Sequence, residues 1–257
     1  MKTLAITRAV SRAITRCELT HLERDPIDLA RARAQHAAYE EALVELGCRV
    51  ERLPEEPGLP DSVFVEDTAI VVDEIAVLTR PGAESRRPEV DSVGRALAPY
   101  RKLARLEAPA TLDGGDVLRL GKRFFVGLSS RSNRAGVEAL AAQLAPFGYT
   151  VEGVELGACL HLKSAVTEAA PGVVVFNPDW IDPAVLGDVE AIAVDASEPY
   201  ATNGVRVGGR FLYPTAFPRT AERLAKRGIA LKTVDVSELA KAEGAVTCCS
   251  LILRIPD

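Results

Sequence analysis

The chain has 257 residues, 47% of them hydrophobic, with a net charge of −5 and a pI near 5.4. This composition supports a full core and argues against intrinsic disorder, and the acidic balance argues against a broad surface for nucleic acid. No apolar stretch approaches the roughly 20 residues of a membrane span, and the apolar part of the opening segment is too short for a secretory signal.

Short strands and helices alternate along the chain. A helix is predicted over 26–46, with Asp25 as N-cap before Pro26 and Gly47 as its end. Strands are predicted at 69–72 and 75–78, followed by a helix near 87–98 and a strand near 102–107. The same order then recurs three times. The further predicted elements are strands 116–120 and 123–127, helix 132–146 and strand 150–155; strands 161–168 and 172–176, a short helix near 183–187 and strand 191–195; and strands 204–207 and 210–213, helix 217–228 and strand 231–235.

Four ββαβ units with a period of roughly 40–50 residues indicate a repeat array. The termini supply a fifth unit, in which strands 248–254, 3–7 and 48–53 combine with the helix over 26–46. A ring closed by its first and last segments leaves no exposed sheet edge. We therefore predict an α/β fold of five modules with pseudo-fivefold symmetry, forming one catalytic domain over residues 1–257.

Each unit's first strand is preceded by polar residues. They are Glu66-Asp67-Thr68, Asp113-Gly114-Gly115-Asp116, His161, Thr202-Asn203-Gly204 and Thr247-Cys248. In a ring of equivalent modules these positions converge at one end of the central axis. Turns favour Asp, Asn, Gly and Thr, but not histidine or cysteine. We expect one site in which Cys248 is a nucleophile and His161 an acid/base.

Carboxylates on two of these segments predict an acidic pocket that favours a cation. A planar guanidinium fits best, because carboxylates can pair with it through two hydrogen bonds. The carboxylates alone raise the pKa of the thiol, so thiolate is expected to form mainly in the complex with a cationic ligand. Arg86, Arg87 and Arg131 follow the second strands of their hairpins, where they could clamp a carboxylate of the ligand.

Cys, His and Asp could alternatively be ligands of a zinc ion. The local spacings typical of zinc sites, such as H-x-x-x-H or C-x-x-C, are missing from the sequence. We therefore expect no metal. The five cysteines are odd in number, which is typical of a reducing compartment, and we expect a cytoplasmic protein.

Six stretches resemble dimethylarginine dimethylaminohydrolase, a family of the guanidine-modifying, or pentein, superfamily with a five-bladed α/β propeller. They are LPDSVFVED at 59–67, TRPGAESRR at 79–87, TLDGGDVL at 111–118, FVGLS at 125–129, LHLKS at 160–164 and TCCS at 247–250. They occur in the expected order over almost the whole chain, and the joint match is specific although each piece alone is weak.

The resemblance implies a role for each site residue. Cys248 is the nucleophile and His161 the general acid/base, while Asp113 holds the guanidinium and orients His161. Asp67, with Glu66 close by, pairs with the guanidinium nitrogens. The amino-acid end of the substrate contacts Asp61 and the backbone of Leu19. Arg86 and Arg131 bind the carboxylate at that end. The family varies between Asp and Glu at the position of Asp113.

The implied activity is hydrolysis of Nω-methylated arginines to citrulline and an amine, through a covalent S-alkylthiouronium intermediate and without a cofactor. The partner is a small-molecule substrate, with no nucleic acid and no membrane, and a homodimer is left open. An arginine or agmatine deiminase, an amidinotransferase and a non-catalytic arginine-binding protein are the alternatives. Deiminases typically carry an acidic residue two positions after the histidine, where this chain has Lys163. The segment 12–25, which includes Leu19, is expected to act as a lid.

Overall fold

A computed structural model describes residues 2–157 and 159–256. Met1, Ala158 and Asp257, which the predicted domain includes, lie outside the described residues. Over these described residues the chain forms five three-stranded sheets. In each, the first strand pairs antiparallel with the second and the second pairs parallel with the third. This identical pairing confirms the predicted five-bladed α/β propeller, and each sheet with its connecting segment is called a blade below.

The blades are numbered from the one that both termini build. Blade 1 contains strands Leu251–Ile255, Lys2–Arg8 and Cys48–Leu53, with helix Leu29–Glu45. Blade 2 contains strands Ala69–Val71, Ile75–Leu78 and Lys102–Arg105, with helix Glu89–Leu97. Blade 3 contains strands Val117–Leu120, Arg123–Leu128 and Thr150–Glu155, with helix Arg134–Leu144. Blade 4 contains strands Val166–Ala170, Val173–Phe176 and Glu190–Ala193, with the 3₁₀ turn Pro183–Leu186. Blade 5 contains strands Val205–Val207, Arg210–Pro214 and Leu231–Val234, with helix Pro218–Lys226.

Alternating side chains of one strand serve two blade interfaces, which is what closes the ring. In blade 3, Phe124 and Val126 pack in a cluster shared with blade 2, whereas Phe125 packs in a cluster shared with blade 4. Five such clusters join the five pairs of neighbouring blades. Successive strand residues point to opposite faces, so each sheet is buried on both sides. This explains why strands so short form a stable fold.

The long helix starts later than predicted. It spans Leu29–Glu45, and its N-cap is Asp28, whose side chain accepts a hydrogen bond from the Arg31 amide. The Asp28 amide donates in turn to Glu238, which lies 210 residues away in sequence. A tertiary contact therefore selects Asp28 over Asp25 as the cap.

The predicted strand 161–168 was partly wrong. Residues Leu162–Ala165 form one helical turn, and the strand spans Val166–Ala170. The Leu162 amide donates to the buried Asp116 carboxylate, which holds the turn in place. Residues predicted to open the last strand likewise form a 3₁₀ turn, Thr247–Cys249, before Leu251–Ile255. Within the described part of the chain, no helix combines the length and apolar character needed to cross a membrane.

Candidate active site

Four blades begin with a short helical turn, and these turns surround one pocket. They are Val65–Thr68, Gly114–Asp116, Leu162–Ala165 and Thr247–Cys249. Asp67, Asp113, His161 and Cys248, each on or beside one of these turns, all line this pocket. Residues up to 181 positions apart in sequence are thus brought together.

Two glycines allow the turns to approach closely. A side chain at Gly114 would place its Cβ 2.0 Å from the Glu66 carbonyl oxygen. At Gly115 the Cβ would lie 2.5 Å from Nδ1 of His161 and 3.0 Å from Oδ1 of Asp67. Blade 3 can therefore contact blades 2 and 4 at the ring centre only because these positions lack a side chain.

His161 is hydrogen-bonded to Asp113 through Nε2 and Oδ2, 3.1 Å apart. The other oxygen of Asp113 accepts from the Gly82 amide at 2.9 Å, which orients the carboxylate. Burial opposes protonation of His161, but Asp67, the bond to Asp113 and Asp116 outweigh it and raise its pKa to about 9. The imidazole is therefore protonated at neutral pH and can serve as an acid.

Cys248 is 9% exposed and lines the pocket, whereas Cys249 is fully buried and does not. Burial, together with Glu66 and Asp67, raises the pKa of the Cys248 thiol to about 12. The thiol is therefore neutral in the ligand-free site. None of the five cysteines, all of which lie in the described part of the chain, forms a disulfide.

Asp116, which sequence reasoning placed among the acids of the pocket, supports the acid/base instead. It is completely buried and accepts hydrogen bonds from the hydroxyls of Ser129 and Ser132. Its other oxygen accepts from the Leu162 amide at 3.0 Å. Asp116 thus fixes the start of the turn that follows His161, and no local sequence pattern signals this contact.

Asp67 is held ionised inside the pocket. Burial would raise its pKa, but the cations of Arg86 and His161 and hydrogen bonds from Arg86 and Gly115 lower it to about 2. Arg86 itself is buried and is paired with Asp67 and Glu89. Its Nη2 also donates to two backbone carbonyl oxygens. Arg86 lines the pocket, but most of its hydrogen-bonding capacity is already used within the protein.

Glu66 is paired with Lys163, which lies two residues after His161. The second oxygen of Glu66 accepts from the Thr247 hydroxyl at 2.7 Å. Both oxygens of Glu66 are therefore engaged within the protein, whereas Asp67 lines the pocket directly. The sequence drew attention to Lys163 because deiminases have an acidic residue at this position. It gave no sign of the ion pair with Glu66.

The segment 12–25, which was predicted to act as a lid and is called the lid below, contributes Glu18 to the pocket lining. The Glu18 amide donates to Oδ2 of Asp61 at 3.1 Å, and both residues line the pocket. Arg131 also lines it and donates to the Thr20 hydroxyl at 2.9 Å. Leu19 is half-buried and packs against the cluster shared by blades 1 and 5.

Glu243 fastens the tip of the lid. Its carboxylate accepts from the backbone amides of Thr20, His21 and Leu22 over 2.6–3.1 Å. Glu243 has a φ of 56°, a left-handed conformation that is unusual for a residue with a side chain. The contact spans more than 220 residues of sequence, so sequence reasoning could not find it.

Asp67, Asp113 and His161 each offer one potential metal-ligand atom, and these atoms lie within 4.8 Å of one another. The three residues come from three blades, which explains why local spacing does not display the cluster. The same convergence of two carboxylates also suits a planar cation with several N–H donors.

Comparison with known proteins places the chain among enzymes. No family model matches it. It is 39% identical over 255 residues to the dimethylarginine dimethylaminohydrolase of Streptomyces coelicolor, covering 97% of this chain and 96% of that protein. The chain belongs to the dimethylarginine dimethylaminohydrolase family.

Further relatives of this family include the Pseudomonas aeruginosa dimethylarginine dimethylaminohydrolase, which is 35% identical over 226 residues, or 87% of this chain and 89% of that protein. A solved structure of a cysteine-to-serine variant of the Pseudomonas aeruginosa enzyme, complexed with citrulline, superposes with a TM-score of 0.94 at 33% identity and covers 98% of this chain and all of that one. The N-terminal domain of a cyanobacterial arginine dihydrolase matches with a TM-score of 0.85 at 19% identity over 100% of this chain and 99% of that one, which shows a shared fold.

Proposed function

We propose that the chain hydrolyses Nω-methylated arginines to citrulline and methylamine or dimethylamine. The supporting observation is one pocket lined by a thiol, an imidazole and two buried carboxylates, Asp67 and Asp113. A guanidinium between these carboxylates satisfies both, and its carbon then lies within the site that also contains Cys248. We further propose that residues 1–257 act as one catalytic domain, because four blades contribute pocket residues and a single chain completes the pocket without a homodimer.

The substrate itself promotes formation of the nucleophile. Without a ligand, the negative field of Glu66 and Asp67 contributes to keeping the thiol neutral. A bound guanidinium cation opposes that field and lowers the pKa of Cys248, so the thiol releases its proton to solvent when the substrate binds. The thiolate then attacks the guanidinium carbon to form a neutral tetrahedral adduct.

His161 serves both halves of the reaction. Its imidazolium protonates the methylated nitrogen, the C–N bond breaks, and the amine leaves an S-alkylthiouronium cation bound to Cys248. Neutral His161 then takes a proton from water, whose oxygen attacks the same carbon. Collapse of this second adduct breaks the C–S bond and releases the thiolate, and loss of the adduct's hydroxyl proton to solvent gives citrulline. These steps use side chains alone, and we propose that no metal or other cofactor takes part.

At the amino-acid end we propose that Arg131 contacts the substrate carboxylate, because its guanidinium is the less engaged of the two predicted arginines. Arg86 instead supplies positive charge that favours the ionised carboxylates of Asp61 and Asp67. The Asp61 side chain and the lid backbone at Leu19 are proposed to receive the amino group. The five unpaired cysteines support a reducing, cytoplasmic setting.

Lys163 favours a methylated substrate. It stands where deiminases carry an acidic residue, and it pairs with Glu66, so neither position offers a free carboxylate to an unsubstituted guanidinium. The test supplies dimethylarginine, monomethylarginine, arginine and agmatine separately and assays ureido products and released amines. Preferential turnover of the two methylated substrates is expected, with no loss after treatment with a chelator. Preference for arginine or agmatine would indicate a deiminase, transfer to an amine acceptor an amidinotransferase, and tight binding without product a non-catalytic protein.

A further inference from the structure

Asn203 occupies in blade 5 the position that supplies catalytic residues in the other blades. It precedes strand Val205–Val207 and is only 6% exposed. Asn203 is absent from the lining of the pocket that contains Cys248. It lines a neighbouring apolar cavity instead. The mechanism above gives this buried amide no role.

The Asn203 side chain holds the turn that carries the nucleophile. Its Oδ1 accepts from the Thr247 amide and its Nδ2 donates to the Thr247 hydroxyl, both at 3.0 Å. The same hydroxyl donates to Glu66 and lies 4.0 Å from the sulfur of Cys248. Asn203 therefore fixes both the backbone and the side chain of the residue before the nucleophile.

The same segment also contacts the turn that follows the acid/base. Nδ2 of Asn203 reaches the Lys163 carbonyl oxygen at 3.4 Å, and the Thr202 hydroxyl donates to the Ser164 carbonyl oxygen at 2.5 Å. Blade 5 thereby connects the turn after His161 with the turn that carries Cys248.

We infer that Asn203 is a positioning residue for the proposed hydrolysis, holding the Cys248 turn in register with the His161 turn. It acts through Thr247 and the Lys163 carbonyl and touches no reacting atom. The inference rests on the proposed function, because the geometry matters only if sulfur and imidazole act on the same substrate carbon.

The test compares Asn203→Ala with Asn177→Ala. Asn177 is a matched control, since it is also buried and bonds backbone groups, donating to the Pro199 carbonyl oxygen and accepting from the Asp179 amide. Misplacement of reacting groups by about 1 Å can cost on the order of 10²-fold in rate. We expect Asn203→Ala to lower kcat by about 10- to 100-fold with KM changed less than about threefold. The control should lose thermal stability but keep kcat within about twofold of the wild type.

The second variant is Asn203→Asp, which keeps the size of the side chain and the acceptor for the Thr247 amide. Its carboxylate adds negative charge beside Glu66, so alkylation of Cys248 by iodoacetamide should shift to higher pH. Equal losses of kcat in both alanine variants, or an unchanged alkylation profile in Asn203→Asp, would overturn the inference. Alkylation needs no substrate, so a wild type that alkylates normally but leaves methylated arginines intact would refute the proposed function separately.

Discussion

Protonated His161 should make the protein measurably more stable below pH 7 than above pH 9. The pKa of His161 rises from an ordinary value of 6.5 to about 9 in the folded protein. A group whose folded pKa is raised contributes its full stabilisation below the unfolded pKa and loses it as the pH passes the folded pKa. The relevant window is therefore pH 6.5 to 9. At about 1.36 kcal/mol per pH unit, the contribution is on the order of 3 kcal/mol.

The measurement is the free energy of unfolding in urea at several pH values, for the wild type and His161→Asn. Burial raises the pKa of Glu89 to about 7 and that of Asp116 to about 6, and these carboxyls also reduce stability as pH rises, mostly below pH 7. Ionisation of the Cys248 thiol affects the free energy of unfolding mainly above pH 9, because its pKa rises from 9.0 to about 12 in the folded protein. The difference between the two proteins isolates the histidine. A wild-type loss between pH 6.5 and 9 that persists unchanged in His161→Asn would refute the reasoning.

Three further substitutions test the site. Cys248→Ala should abolish turnover and the covalent adduct seen by mass spectrometry, whereas Cys249→Ala, which changes a buried neighbour outside the pocket, should retain most of the activity; equal losses would refute the assignment. Gly115→Ala should lower kcat by about tenfold or more, because the added Cβ would lie 2.5 Å from the His161 ring. Gly153→Ala is the control and should leave kcat unchanged, because the atom nearest to its added Cβ lies 3.5 Å away. Glu243→Ala removes the acceptor of three lid amides and should raise KM by roughly 3- to 10-fold; an unchanged KM would show that the lid does not depend on this carboxylate.

The repeat could be predicted from sequence because it depends on local signals. Each blade is marked by a hairpin turn, such as the one at Gly121 where φ is 62°, and by alternating apolar residues. These signals lie within the blade and do not depend on contacts with other blades. Once five units are recognised, ring closure makes the segments before the first strands converge. The convergence of Cys248, His161, Asp113 and Asp67 therefore follows from the repeat itself.

The helical turns that carry these residues could not be predicted. Each has only three or four residues, too few for a helical period, and each is held by contacts from another blade, as Asp116 holds the turn beginning at Leu162. The same limit applies to the N-cap at Asp28, which a contact with Glu238 selects.

The sequence by itself determined the five-module architecture and the chemical groups available to the site, since both follow from short-range pattern and residue type. Only the tertiary structure decided how the charges are distributed among them. Lys163 pairs with Glu66, and Arg86 pairs with Asp67 and Glu89. Burial together with Glu66 and Asp67 still raises the pKa of Cys248, and Asp67 favours the protonated form of His161. Pairing energies depend on distances and burial at the ring centre, where residues from separate blades meet, and no linear spacing encodes those quantities.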